Sequence, residues 1–204
     1  MKPRVRRTPF LAAAALVAAL AATQPIAPLS AQVPAPADVF GFEPGTDYQL
    51  ADYTQLADYY RRLAAASDRV VLQEIGRSTQ GRPMFVLYIS SPENLARLDH
   101  WRSISERLAR ARNLTDEQAR QLAREGRAIV WIDAGLHSSE VAHSQFAPLL
   151  AHHMATDESA ETRRFRDDVV LLLMPGMNPD GHDIVVDWYR QQRGTPFETT
   201  ATPN

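Results

Sequence analysis

Residues 128–140 read Ala-Ile-Val-Trp-Ile-Asp-Ala-Gly-Leu-His-Ser-Ser-Glu, an apolar run that ends abruptly in a glycine and a polar loop. A run this apolar is expected of a β-strand covered on both faces, and the glycine punctuates its end. A second run of the same kind, Val169 to Met174 (VVLLLM), is followed by Met177-Asn178-Pro179-Asp180-Gly181. Between them Val141 to Met154 reads as a helix, with Pro148 expected to kink it or mark its true start. Strand, helix, strand is the crossover unit of parallel pairing. The fold class that follows is α/β, with a mixed, mostly parallel sheet flanked by helices.

Outward from this centre the other elements are simpler. Leu50, Tyr53, Leu56, Tyr60, Leu63 and Ala64 recur at helical spacing, giving a helix that runs to about Ala66. Val70 to Ile75 and Met84 to Ser90 are β-rich runs around the turn-forming stretch Gly76 to Pro83. Leu95 to Arg112 is a charged amphipathic stretch. Thr115-Asp116-Glu117-Gln118 has the capping-box pattern of a helix that reaches Glu125 and stops at Gly126.

The N-terminus differs in kind. Lys2, Arg4, Arg6 and Arg7 precede an apolar run, Phe10 to Ala22, and then Leu29-Ser30-Ala31, the arrangement of a secretory signal peptide over residues 1–31. The run is short for a membrane span, so no stable span is expected after cleavage, and an exported chain, periplasmic or extracellular, is. Residues 32–45, rich in Pro and Ala, read as a linker, and residues 46–204 as the folded part. Without residues 1–31 there remain 18 arginines against 24 carboxylates, a net charge of −6, which argues against a nucleic-acid partner. With no cysteine in the chain, a bound metal must use His and carboxylate ligands.

His137 and Glu140 have the spacing at which an imidazole and a carboxylate can converge on one metal ion, just past a strand end where ligands bind in open α/β sheets. A pair of solvated loop side chains has the same spacing. Asn178-Pro179-Asp180-Gly181 is by itself strong turn chemistry. Asp133 either orients a ligand histidine or faces away from it. His143, His152 and His153 read as packing or surface residues, and His100 and His182 show no partner pattern.

In order and spacing, Ile75-Gly76-Arg77-Ser78-Thr79-Gln80-Gly81-Arg82-Pro83, Gly135-Leu136-His137-Ser138-Ser139-Glu140 and Asn178-Pro179-Asp180-Gly181 resemble the first half of the funnelin-type zinc carboxypeptidases. The resemblance covers about residues 47–193 and implies that His137 and Glu140 bind Zn2+, with a peptide or protein as substrate. It implies peptide-bond hydrolysis by metal-activated water, with an arginine stabilising the oxyanion. Arg190 is the candidate for that arginine, with Arg193 close behind. Ser139 stands where many digestive members carry a substrate-binding arginine. The third zinc ligand, the general-base Glu and the groups that hold the substrate carboxylate are expected beyond Asn204, so the domain reads as an incomplete N-terminal part. A sheet without its continuation is expected to leave runs such as Val169 to Met174 partly uncovered. Two other readings fit fewer of these features: an exported peptide-binding module without activity, and an aspartoacylase-like zinc deacylase.

Overall fold

The structure, a computed structural model, describes residues 32–198 and residue 200; the signal peptide expected over 1–31 lies outside them. Its elements are α1 (Pro36–Phe40), α2 (Tyr53–Ala66), β1 (Val70–Arg77), β2 (Pro83–Ile89), α3 (Pro92–Leu95), α4 (Leu98–Arg110), α5 (Asp116–Glu125), β3 (Ala128–Asp133), α6 (Val141–Thr156), α7 (Ala160–Asp168), β4 (Val169–Met174) and α8 (Pro179–Gln192). The four strands form one mixed sheet in the order β1-β2-β4-β3. β1 and β2 pair antiparallel, as do β2 and β4, while β3 and β4 run parallel in register from Ala128 opposite Val169 to Asp133 opposite Met174. The sheet is therefore mixed and flanked by helices as expected. Its parallel share is smaller than expected, one pairing of three, because the hairpin adds to the β4 side.

Strand alternation sorts the core into two layers. Leu171 and Leu173 of β4, with Leu87 and Ile89 of β2, face α2 and α6, where Leu56, Tyr59, Leu63, Ala147 and Ala151 pack against them. Val170 and Leu172 face the other way, toward Trp101 and Ile104 of α4 and Leu122 of α5. The guanidinium groups of Arg97 and Arg127 lie 4.5 and 4.8 Å from the Trp101 ring centre and cover it. Two of the helices are capped by side chains at their first turns. Asp52 accepts from Gln55 N at 2.9 Å to cap α2, and Thr115 accepts from Gln118 N at 3.3 Å to cap α5.

Three expectations change. Residues 32–45 are not a bare linker: Pro36 sits in the first turn of α1, Asp38 accepts from Ala35 N at 2.8 Å, and Gly41 stops the helix at φ 79°. Phe40 is thereby driven into the core, edge-on to Tyr59 at 5.7 Å. Pro148 lies inside a continuous α6 and does not mark its start; its buried ring packs in the core and its carbonyl accepts from Tyr59 Oη at 3.4 Å. The third concerns the two apolar runs. β4 is covered on both faces, but β3, at the sheet edge, is not: Ile129 and Trp131 are 42% and 50% exposed. Among the described residues no helix is long and apolar enough to cross a membrane.

Candidate metal centre

The parallel ladder of β3 and β4 continues past the strand ends and zips their loops together. Ala134 N donates to Met174 O at 2.9 Å, Met177 N to Ala134 O at 2.9 Å, and Asn178 N to Gly135 O at 3.1 Å. Gly135 turns the chain with φ 71°, and a Cβ there would stand 2.9 Å from Ser144 Oγ, so glycine is required by both conformation and space. The next turn is closed by Glu140 N donating to His137 O at 3.1 Å, after which α6 begins.

That turn brings two side chains face to face. His137 Nδ1 lies 3.0 Å from Glu140 Oε2, and His143 Nδ1, from the first turn of α6, lies 3.6 Å from the same oxygen. The hydrogen bond with His137 holds the Glu140 carboxyl below its usual range, with a smaller contribution from the nearby imidazoles. All three side chains are substantially open to solvent. Ligand atoms at 2.0–2.2 Å on a tetrahedral zinc are about 3.3–3.5 Å apart, so the His137–Glu140 separation is within a few tenths of an ångström of one edge of such a site. An imidazole nitrogen and an ionised carboxylate are the donor types zinc takes. They make a partial set: among the described residues no three His, Cys, Asp or Glu side chains are grouped to hold a metal ion.

Asn178-Pro179-Asp180-Gly181 is a helix start rather than a free turn. Asn178 Oδ1 accepts from Gly181 N at 3.0 Å, and Pro179 occupies the first turn of α8. Gly181 lets α8 approach the His137–Glu140 loop, since a Cβ there would stand 2.8 Å from Ser138 Cβ. Asp180 reaches back to the β1–β2 turn, accepting from Ser78 Oγ at 2.6 Å, Gln80 N at 3.0 Å and Arg82 Nη1 at 2.9 Å. These bonds, led by the Ser78 hydroxyl, hold its carboxyl below the usual range. Asp183, one turn further on, accepts from Arg82 Nε at 2.7 Å and from Tyr53 N at 2.8 Å. Three segments distant in sequence thus meet at one edge of the sheet, clasped by Arg82.

Other candidates are placed elsewhere. Arg190 donates to Asp52 Oδ2 at 3.0 Å, Leu50 O at 2.9 Å and Gln55 Oε1 at 3.3 Å, tying α8 to the start of α2; it makes no hydrogen bond to His137 or Glu140. Arg193 lies over the Tyr48 ring at 5.6 Å. Asp133 ends β3 exposed, with no side-chain hydrogen bond to His137. His100 pairs with Glu125 at 3.1 Å, and His153 Nε2 is 3.5 Å from Thr162 Oγ1. His182 is buried with Nε2 2.9 Å from Ala51 O, and burial pushes its pKa down. The clasp and the buried His182 were missed from sequence. Asp180 and Asp183, three apart behind a helix cap, were the available signal for a shared cationic partner.

The family described as zinc carboxypeptidase matches this chain over residues 56–199. No curated protein matches it. Among solved structures it is similar to carboxypeptidase A from Helicoverpa armigera, at 16% identity over 72% of this chain and 31% of that one, with a TM-score of 0.48. A metallo-carboxypeptidase from Burkholderia cenocepacia aligns at 23% identity over 64% of this chain and 28% of that one, with a TM-score of 0.43. Bovine thrombin-activatable fibrinolysis inhibitor, solved in complex with tick carboxypeptidase inhibitor, aligns at 16% identity over 68% and 34%, with a TM-score of 0.42. The chain spans about a third of the length of these structures.

Proposed function

The chain belongs to the zinc carboxypeptidase family, and from that premise we propose that it contributes His137 and Glu140 as zinc ligands to the hydrolysis of C-terminal peptide bonds in an exported enzyme. The observation that carries the reading is the 3.0 Å convergence of His137 Nδ1 and Glu140 Oε2 at the C-terminal edge of the parallel strand pair. A zinc ion bound there supplies a Lewis acid that polarises a carbonyl and makes water acidic enough to attack at neutral pH.

The chain's own residues do the rest of what is proposed here. Glu140 is held in its ionised form, the form a cation takes, and His137 offers Nδ1 toward the same point. The ladder bonds from Ala134 and Gly135 fix the loop on the β4 side, and Gly181 seats α8 against Ser138, so the pair rides on two strand ends rather than on a free loop. Arg190, on the same α8, is the group proposed to stabilise the oxyanion. The basic and apolar leader over 1–31 supports export.

A zinc titration of the full chain, with a competing chromophoric chelator at pH 7, tests the reading. His137→Ala and Glu140→Ala are each expected to weaken zinc binding at least tenfold, while Asp133→Ala changes it little. Zinc binding that survives both substitutions would overturn the assignment.

A further inference from the structure

Glu140 stands at the N-cap of α6, a position whose side chain commonly accepts a hydrogen bond from the backbone of the first turn. It makes no such cap bond. Its carboxylate is turned instead toward two imidazoles, one from each side of it in sequence. His137 Nδ1 lies 3.0 Å and His143 Nδ1 3.6 Å from the same oxygen, Oε2. The metal reading uses the first of these contacts and leaves the second without a role.

His143 occupies the third position of α6, the place from which the Glu or Gln of a capping box reaches back to the N-cap residue. Here an imidazole reaches back. The His143 backbone N donates to Glu140 O at 3.2 Å, which ties the two residues together and leaves the ring to move about its own side-chain bonds. The ring is exposed, and among the described residues Glu140 is its only ion-pair partner. At 3.6 Å, Nδ1 is about 0.4 Å beyond the usual N–H···O range, a gap that a small rotation of an exposed side chain closes.

A carboxylate oxygen that ligates a cation gives it one lone pair and keeps the other for a hydrogen-bond donor. His137 cannot be that donor once its Nδ1 faces the same cation, because a ligating nitrogen has lost its proton. The His143 ring is the donor within reach. Ligating carboxylates are generally held by such an outer hydrogen bond, which sets their orientation. We propose that His143 is a positioning residue for the metal pair, its Nδ1–H donating to Glu140 Oε2 and so fixing the carboxylate for a divalent ion shared with His137 Nδ1. The proposal rests on the metal reading above. It adds that this chain supplies the orienting partner of its own carboxylate ligand, three residues further along.

Zinc affinity of the full chain by chelator competition, and the visible absorption of Co2+ bound in place of zinc, test this together. His143→Ala is expected to weaken zinc binding about tenfold or more while the Co2+ bands keep their shape and intensity, since no ligand is removed. His143→Gln keeps a side-chain N–H donor and should recover most of that loss. After chelator treatment, the variants should unfold in urea at the midpoint of the unsubstituted chain. A lower midpoint that accounts for the lost affinity would make the role structural and overturn the proposal. Unchanged zinc affinity in His143→Ala would overturn it too, and leave the His137–Glu140 pair standing. Altered Co2+ bands in His143→Ala, with no recovery in His143→Gln, would replace the positioning role by direct ligation. If the unsubstituted chain binds no zinc, or His137→Ala binds it equally well, the metal reading falls and takes the proposal with it.

Discussion

β3 and β4 are six-residue, largely apolar strands, hydrogen-bonded in parallel register, yet β4 is sealed on both faces and β3 stands at the sheet edge with most of its side chains in solvent. Their surroundings make the difference. β4 has β2 on one side and β3 on the other, with α2 and α6 above it and α4 and α5 below. β3 has β4 alone. An apolar run therefore specifies a strand and its tendency to be covered, while sheet order decides how much cover it receives.

The largest effect that can break this comparison is truncation of one side chain from each strand. Leu173→Ala, at a fully buried position in β4, is expected to cost about 3–4 kcal/mol in urea unfolding, and Trp131→Ala in β3 under about 1 kcal/mol. Equal costs would mean that β3 is covered in solution. A smaller effect is expected at the edge where the loops of the two strands meet. Arg82→Met leaves Asp183 with one partner fewer; because the pair is partly solvated, about 1–2 kcal/mol is expected, less than a fully buried pair would lose. Hydrogen exchange should then quicken at Gly181 and Asp183 while the β3 amides keep their rates; faster exchange across β3 would show that the clasp holds both strands. The smallest effect concerns pH. Burial keeps His182 neutral, so the unfolded chain binds the extra proton below about pH 6.5. The stability this contributes is fully present above that pH and declines as pH falls toward the lower folded value. Thermal melts from pH 7.5 to 5 should show the decline, and His182→Gln should flatten it. A slope unchanged by that substitution would place the responsible group elsewhere.

Much of the fold was legible because its local signals were strong and agreed with one another. Thr115 and Gln118 marked the start of α5, the β-rich runs Val70–Ile75 and Met84–Ser90 around the Gly76–Pro83 turn marked the hairpin, and Gly126 marked the end of α5. What escaped was decided by distant contacts. α1 was hidden in a Pro- and Ala-rich stretch, and only the core pocket beside Tyr59 explains why Phe40 orders it. The exposure of Trp131 follows from the strand order, which no periodicity contains. At the site, the spacing of His137 and Glu140 was readable, and the two side chains lie 3.0 Å apart. The bonds of the Arg190 guanidinium to Asp52 and Leu50 O, about 140 positions earlier, were not readable from local spacing. Arg82 looked like one of several turn residues, and its two carboxylate partners lie about a hundred residues further along.

That separation also sets an order in time. Arg82 leaves the ribosome with its hairpin, but Asp180 and Asp183 are 98 and 101 positions later. At about 5–20 residues per second the turn waits roughly 5–20 s for the carboxylates that fasten it. During that interval the Gly76–Pro83 segment has only local bonds to shape it, such as Arg82 N to Ser78 Oγ and Arg77 Nη1 to Gly81 O, and its fastening to α8 comes after the hairpin itself.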